Sequence, residues 1–103
     1  MKVVLLDTSV EYFIQSLNAV NHAKAIHMIE LLEEFGHRLS MPHSKMITRG
    51  LFELRIKGSP AIRLFYIFHN NKGIIIHGFT KKSAKTPTRE IKIAQQKVNV
   101  ILD

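Results

Sequence analysis

The sequence predicts an α+β domain in which an antiparallel sheet carries helices on one face and leaves the other face open. Three observations support this class. Residues 1–36 contain a short apolar run and then two segments whose apolar residues recur every three to four positions, as in helices. Residues 51–81 contain three segments in which apolar and polar residues alternate, as in strands. The 103 residues, 46% of them hydrophobic, have the size and composition of a single domain, residues 1–103, with one core.

The N-terminal part is predicted to form one strand and a helical hairpin. Residues 2–6 (KVVLL) are apolar and β-branched enough for a short strand. Thr8 and Glu11 have the spacing of a capping box, in which the hydroxyl and the carboxylate each satisfy a free backbone N–H at a helix start. A second helix over residues 20–35 is expected to end at Gly36, because glycine readily takes the left-handed conformation found there.

The middle of the chain is predicted to be a loop followed by a meander of three strands. Residues 37–50 have no clean period, and Pro42 does not suit the interior of a regular element. The strands then cover residues 51–56, 61–69 and 74–81. Alternation places Phe52, Leu54, Ile56, Ile62, Leu64, Tyr66 and Phe68 on one face, Leu51, Glu53, Arg55, Arg63, Phe65 and Ile67 on the other, and Ile75, His77, Phe79 and Lys81 together on one face of the third strand.

A last helix is predicted to open at Thr86 and Pro87. Threonine suits the N-cap, and proline suits the first helical position because its missing N–H is not needed there. The apolar stripe of this helix consists of Ile91, Ala94, Val98 and Ile101. The predicted order of elements is therefore β, α, α, β, β, β, α.

The positive charge of the chain is concentrated in its second half. The net charge is +7; residues 1–54 hold five Lys/Arg and six Asp/Glu, whereas residues 55–103 hold ten and two. A one-sided basic surface commonly attracts a polyanion such as nucleic acid, although lysines also serve solubility alone. Arg55 and Arg63 fall on neighbouring strands of one face, where like charges are unfavourable unless Glu53 or a bound anion offsets them.

Several other classes of protein and site are not indicated. The chain has no cysteine, and its six histidines form no H-x-x-x-H pair, so neither a metal site nor a disulfide is predicted. No glycine-rich phosphate loop or nucleophile elbow occurs, and no cofactor is predicted. No apolar run has the length of a membrane span, and the opening MKVVLLD does not have the pattern of a secretory signal. We therefore expect a cytoplasmic protein without a membrane partner.

Several short blocks, in order, resemble one known family. The blocks are G-x-x-L-x-x-P-x-x-K at Gly36, Leu39, Pro42 and Lys45, GLFELR at 50–55, RLFY at 63–66, HGFTKK at 77–82, KTP at 85–87, and EI at 90–91 followed by Ala94. Together they resemble the HigB-like, phage Gp49-like branch of the RelE toxin superfamily over residues 25–98. The resemblance implies a RelE-like microbial ribonuclease fold and the toxin of a type II toxin–antitoxin pair. Its implied targets are mRNA in the ribosomal A site and ribosomal RNA, and its implied partner is a cognate helix-turn-helix antitoxin.

Metal-independent RNA cleavage by such a toxin uses the 2′-hydroxyl as nucleophile against the adjacent phosphate. It needs a base, a cation for the charge that develops on the phosphoryl oxygens, and an acid for the leaving 5′-oxygen. Arg63 occupies the block that resembles the family's phosphate-stabilising strand arginine. The predicted catalytic residues are Arg63, Arg55, His77 and Lys81, and the predicted RNA-binding residues are Lys57, Lys82, Lys85 and Glu53. Glu53 is interpreted as a structural counter-ion for an arginine more than as a base.

One departure from the family pattern leaves two alternatives open. Several relatives use a tyrosine or histidine near the C-terminus as general acid, whereas the tyrosines here are Tyr12 and Tyr66 and no histidine follows His77. A non-catalytic RNA-binding or ribosome-binding module would present the same basic face. An inactive prophage remnant of the same fold is the other alternative.

Overall fold

The protein folds into a five-stranded sheet with helices packed on both of its faces, and its strands and helices arise where the sequence shows alternation and helical spacing. The computed structural model describes residues 1–102. Its elements are β1 (Lys2–Leu5), α1 (Thr8–Gln15), α2 (Ala19–Phe35), β2 (Ser44–Thr48), β3 (Leu51–Ile56), β4 (Ala61–His69), β5 (Lys72–Lys81) and α3 (Thr88–Leu102), with a 3₁₀ turn at Gly36–Arg38. The predicted α+β class is confirmed.

The sheet is mixed, so the predicted antiparallel pairing is confirmed for β2 to β5 and was wrong for β1. Its strand order is β1-β5-β4-β3-β2. Strands β2 to β5 pair antiparallel with their neighbours, whereas β1 runs parallel to β5. The two helices that follow β1 carry the chain across the sheet to its opposite edge, where β2 begins. The first strand is consequently left beside the last one, in the same direction.

Strand β2 lies within the segment predicted to be a loop. It begins at Ser44, two residues after Pro42, so the proline lies outside the strand and does not disturb its pairing. Thr48 pairs with Leu51 across a two-residue turn in which Gly50 has a φ of 83°. A positive φ of this size favours glycine, and the turn joins β2 directly to β3.

Each face of the sheet has its own core, so the expectation of helices on one face only was wrong. Helices α1 and α2 pack on one face, burying Val10, Ile14, Ala25, Met28 and Leu32 against Leu54, Ile56, Ile62, Leu64, Tyr66 and Ile75. Helix α3 packs on the other face, where its predicted stripe of Ile91, Ala94, Val98 and Ile101 meets Leu51, Phe65, Ile67, Ile76 and Phe79. An apolar stripe on α3 requires such a partner, because the first face is already covered.

A bulge in β5 changes which side chains share a face. Phe65 pairs with His77, but the next residue, Tyr66, pairs with Ile75, which leaves Ile76 as the extra residue. Ile75 therefore lies in the core beneath α1 and α2, whereas Ile76 and His77 face α3. The prediction that Ile75 and His77 share one face assumed regular alternation and was wrong.

The helix starts differ from the predicted caps. Asp7, not Thr8, caps α1: its Oδ1 accepts hydrogen bonds from the Val10 N–H at 3.1 Å and from the Ser9 hydroxyl at 2.6 Å. The Ser9 bond is the main cause that lowers the pKa of Asp7. Helix α3 begins at Thr88, and the hydroxyl of Thr86 makes another contact, described below. Gly36 ends α2 at the predicted position, with a positive φ of 53° but a ψ of −126°, which differs from the left-handed helical conformation that was expected. None of the helices within residues 1–102 has the length and apolar character that crossing a membrane requires.

Candidate active site

A cleft of about 420 Å³ remains on the face that α3 covers only in part. Its walls come from β2, β3, the end of β5, the segment after β5 and the first turn of α3. We call it the basic cleft, and its lining residues are Lys45, Met46, Ile47, Glu53, Arg55, Lys81, Ala84, Lys85, Thr86 and Ile91. These lining residues include four cations and one carboxylate, so the cleft suits an anion.

Strand register brings the charged residues of the basic cleft together. Arg55 lies directly opposite Arg63 on the neighbouring strand, and Lys45 lies opposite Glu53. Side chains of such opposed residues project on the same face, with Cβ atoms about 4.5–5.5 Å apart. The expectation that Arg55 and Arg63 are neighbours on one face is confirmed.

Glu53 is the buried carboxylate at the centre of this arrangement. It is 1% exposed. Its Oε2 accepts a hydrogen bond of 2.9 Å from the Thr86 hydroxyl, and its Oε1 lies 3.5 Å from the Arg63 Nε. A carboxylate taken out of water must be paired and hydrogen-bonded, and both partners are present here. This geometry agrees with the interpretation of Glu53 as a structural counter-ion.

Arg63 lies beneath the basic cleft and is not among its lining residues. It is 7% exposed, and its Nη1 donates to the backbone carbonyl of Ile62 at 3.0 Å. Within residues 1–102 its Nε has no hydrogen-bond partner of good geometry. Burial lowers the pKa of Arg63; Arg55 adds to this effect and Glu53 opposes it. The guanidinium is thus a buried cation that depends on Glu53 for its charge balance.

Lys81 and Arg55 are the predicted catalytic residues that do line the basic cleft. Burial lowers the pKa of Lys81, and the charges of Arg63, Arg55 and Lys45 lower it further, against the opposing effect of Glu53. A lysine in such surroundings gives up its proton more readily than a free one. Arg55 is half-buried, and its Nη1 lies 3.4 Å from the Met41 Sδ, a weak acceptor that leaves most of its donors available.

His77 lies outside the lining of the basic cleft. Its Nε2 is 2.7 Å from the Glu90 Oε1, and the second oxygen of Glu90 lies 3.3 Å from the Arg89 Nη2. Because Glu90 belongs to α3, this contact ties β5 to the helix that covers it. The geometry assigns His77 a role in packing the helix, away from the cations of the cleft.

The three remaining predicted lysines, Lys57, Lys82 and Lys85, lie in three different places. Lys85 lines the basic cleft. Lys57 follows β3 and lines a different cavity, beside α2, where its carbonyl accepts a hydrogen bond of 3.1 Å from Lys24 Nζ. Lys82 is exposed at the end of β5 and is not among the lining residues. Of the eight predicted site residues, the structure places Glu53, Arg55, Lys81 and Lys85 around one cavity, with Arg63 directly below it.

Sequence reasoning missed Lys45 and Thr86 as members of the site. Lys45 was hidden because residues 37–50 were interpreted as loop. The signal that would have found it is Gly50, which suits the positive φ of a tight turn between SKMIT and LFELRI. Thr86 was assigned to a helix cap, whereas its hydroxyl holds the segment after β5 against Glu53. No local sequence pattern predicts this contact, because Thr86 and Glu53 are 33 positions apart.

Within residues 1–102, no group of three or more His, Asp or Glu side chains is placed to hold a metal ion. The charges that influence the pKa of Lys81 come instead from its neighbours Glu53, Arg63, Arg55 and Lys45. The arrangement can bind a phosphate through Arg55 and the lysines, and it can deliver a proton from Lys81.

One comparison with known proteins gave a match. The family model described as phage derived protein Gp49-like (DUF891) matches residues 12–99, a range that includes every lining residue of the basic cleft. A search of curated proteins found no match. The α+β arrangement is compatible with the RelE-like fold that the sequence blocks implied.

Proposed function

The chain belongs to the phage-derived Gp49-like family, and on that premise we propose that it is the toxin of a type II toxin–antitoxin pair, an endoribonuclease that cuts mRNA on the ribosome. Members of this family are often associated with toxin–antitoxin pairs. The observation that carries the proposal is the basic cleft, in which four cations surround a single neutralised carboxylate. Such a site matches the charge of an RNA backbone and acts in the cytoplasm, where translating ribosomes are found.

Arg55 is the proposed phosphate ligand. Its planar guanidinium donates two parallel hydrogen bonds to phosphoryl oxygens and stays charged throughout the reaction. The residue projects from β3, which is paired on both sides, so its backbone is held rigidly. Lys45 and Lys85 on opposite walls then hold the flanking phosphates as point charges. Arg63 adds positive potential from below and keeps Glu53 in place.

Lys81 is the proposed proton donor to the leaving 5′-oxygen. Its lowered pKa makes it a better acid than an ordinary lysine while it remains charged enough to attract the phosphate. The proton of the attacking 2′-hydroxyl must go to another group, and the one carboxylate that lines the cleft, Glu53, is engaged by Thr86 and Arg63. In this proposal the ribosome supplies the in-line orientation and a nitrogen or oxygen base of its RNA that accepts this proton, which is why we expect cleavage to depend on the ribosome.

Cleavage on ribosomes is the direct test. Purified protein is added to ribosomes translating a defined mRNA and, separately, to the same RNA without ribosomes, and new 5′ ends are mapped. We expect discrete cuts within codons on ribosomes and almost none on naked RNA. Arg55→Ala and Lys81→Met should each lower the rate by about 100-fold or more, the loss typical of one charged or acid–base group. Arg49→Ala and Lys92→Met, on exposed residues outside the cleft, are the matched controls.

Two outcomes would contradict parts of this proposal. Efficient cutting of naked RNA would show that the chain supplies all catalytic groups and that ribosome dependence is wrong. Uncut mRNA together with stalled translation would favour the second candidate function, a non-catalytic ribosome-binding module. The engaged state of Glu53 is the observation that keeps this second candidate open. Cleavage that persists in His77→Gln would support the packing role of that residue.

The antitoxin partner is tested separately from the chemistry. We expect a short helix-turn-helix protein encoded beside this chain to form a complex with it and to restore growth of cells that produce it. A neighbouring gene that neither binds nor protects would contradict this part of the proposal without bearing on cleavage.

A further inference from the structure

A groove runs along α2 on the face of the sheet opposite to the basic cleft. It consists of two adjoining cavities of about 470 Å³ and about 280 Å³ that share Pro42 and His43. We call it the α2 groove. Its lining residues are Ala23, Lys24, His27, Met28, Leu31, Phe35, Arg38, Leu39, Ser40, Met41, Pro42, His43, Arg55, Ile56 and Lys57.

The α2 groove has the length and spacing of a helix-binding site. Its α2 positions 24, 28, 31 and 35 are separated by four, three and four residues, so they form one stripe along the helix. At about 1.5 Å per residue this stripe extends about 16 Å, or three helical turns. Phe35 and Met41 line the same cavity and are 41% and 56% exposed, so the groove offers apolar surface to a partner.

Charge identifies the kind of partner that the α2 groove fits. Its rim carries Lys24, Arg38, Arg55 and Lys57, and no Asp or Glu is among the lining residues. A partner with apolar residues alone would leave these cations unpaired, whereas carboxylates beside its apolar stripe would meet them. An RNA strand would match the charge of the rim. The apolar floor, however, would offer few hydrogen-bonding partners to the polar edges of its bases.

We propose that the α2 groove docks an amphipathic helix of a partner protein, with apolar residues at positions i, i+3, i+4 and i+7 and carboxylates on both flanks. The apolar residues fill the space between α2 and residues 39–43. The flanking carboxylates pair with Lys24 and Lys57 at one end and with Arg38 at the other.

Docking at the α2 groove also affects the basic cleft, because the two cavities share Arg55. Arg55 lines both cavities, and its Nη1 lies 3.4 Å from the Sδ of Met41, which lines the α2 groove. A carboxylate of the docked helix that pairs with Arg55 withdraws this guanidinium from an RNA phosphate, and the partner thereby inhibits without entering the cleft. This regulatory step rests on the proposed function, whereas the docking itself does not.

A designed peptide tests the docking without any RNA. The probe is a fluorescein-labelled helix of about 15 residues, long enough to cover the groove at 1.5 Å per residue, with leucines at the four anchor positions and glutamates beside them. The comparison peptide has lysine in place of every glutamate. Binding is measured by fluorescence anisotropy at moderate ionic strength, because charge pairs at a rim are screened by salt.

Two matched double variants locate the binding site. Lys24→Glu with Met41→Glu changes one exposed lysine and one exposed apolar residue of the groove, and Lys92→Glu with Val100→Glu makes the same changes on α3. We expect the acidic peptide to bind the wild type and the α3 variant equally and the groove variant at least about tenfold more weakly, the loss expected when apolar contact and charge complementarity are both removed. Absence of binding to the wild type, tighter binding of the lysine peptide, or equal binding to both variants would each overturn the proposal.

A second measurement separates docking from the proposed nuclease. A 2′-O-methyl oligoribonucleotide, which lacks the attacking hydroxyl, is titrated into the protein with and without the acidic peptide. Weaker oligonucleotide binding in the presence of peptide supports inhibition through Arg55, and independent binding overturns that step. If the oligonucleotide does not bind at all, the basic cleft has no affinity of its own for RNA and inhibition through Arg55 is overturned, while the peptide result stands and cleavage on ribosomes decides the proposed function. If the groove variant loses the oligonucleotide and the wild type ignores the peptide, the groove binds nucleic acid and the docking proposal is wrong.

Discussion

Replacing Glu53 with glutamine should destabilise the fold strongly, because it leaves Arg63 as a buried cation without a counter-ion. The two charged groups lie 3.5 Å apart, and their side chains are 2% and 9% exposed, so solvent screens them little. At this separation, Coulomb's law with an effective dielectric constant of about 20 gives an attraction of about 5 kcal/mol. Removal of one member of a buried ion pair typically costs about 3–5 kcal/mol, and we expect a loss in this range.

The substitution Glu53→Gln removes the negative charge and leaves the size and shape of the side chain almost unchanged. Glutamine has nearly the volume of glutamate and keeps an oxygen that accepts the hydrogen bond from Thr86, so neither a cavity nor a lost tether accounts for the effect. Arg55 and Lys81 increase the expected loss, because both place further positive charge near Arg63, which has no counter-ion in the variant.

A double-mutant cycle and a surface control complete the experiment. Free energies of unfolding are measured by urea denaturation with far-ultraviolet circular dichroism, since the chain contains no tryptophan. Arg63→Met in the Glu53→Gln background removes the stranded cation and should recover most of the loss. Glu34→Gln, an exposed carboxylate on α2, should change stability by less than about 0.5 kcal/mol. A loss below about 1 kcal/mol for Glu53→Gln, or no recovery in the double variant, would refute the ion-pair account.

Three further predictions concern other parts of the molecule. Tyr66→Phe should cost about 1–3 kcal/mol in urea denaturation, because it leaves the buried Ser44 hydroxyl without its partner; an unchanged midpoint would contradict it. Gly78→Ala should cost about 1–3 kcal/mol and move the Phe13 ring, because a Cβ there would overlap that ring and lie 2.9 Å from Leu64 Cδ2; a thermal melt identical to that of the wild type would show that the site has room. Lys81→Met should slow cleavage yet raise stability near neutral pH. The pKa of Lys81 is lowered in the folded protein, so its charged form opposes folding below the folded pKa, and this cost fades as pH rises from the folded to the unfolded pKa. A variant less stable than the wild type at pH 7 would contradict this sign.

The central strands were predictable because their information is local. Alternation with a period of two assigns Glu53, Arg55 and Arg63 to one face whatever the neighbours of the strand are. It failed in β5, where the bulge at Ile76 inserts one residue and moves Ile75 to the opposite face. A bulge depends on how two strands pair, which the sequence of one strand does not reveal.

The candidate site was predicted in part for the same reason. Arg55, Lys81 and Glu53 follow from strand periodicity, and the structure places all three at one cleft. Lys45 required the recognition of β2, a short edge strand with weak local preference that is stabilised by pairing with β3. Thr86 required the fold of the segment after β5, which a single long-range hydrogen bond to Glu53 holds in place.

By itself, the sequence determined the helices, the three central strands and the concentration of positive charge in the second half of the chain, because helical spacing, alternation and residue type are properties of neighbouring residues. Only the tertiary structure decided that β1 runs parallel to β5, that α3 covers the second face, and that Arg63 is buried under Glu53 while Arg55 and Lys81 line the cleft. The physical reason is that burial and charge balance depend on which elements pack together. The arginine on β3, Arg55, therefore lines the cleft, whereas the arginine opposite it on β4, Arg63, is the buried half of an ion pair.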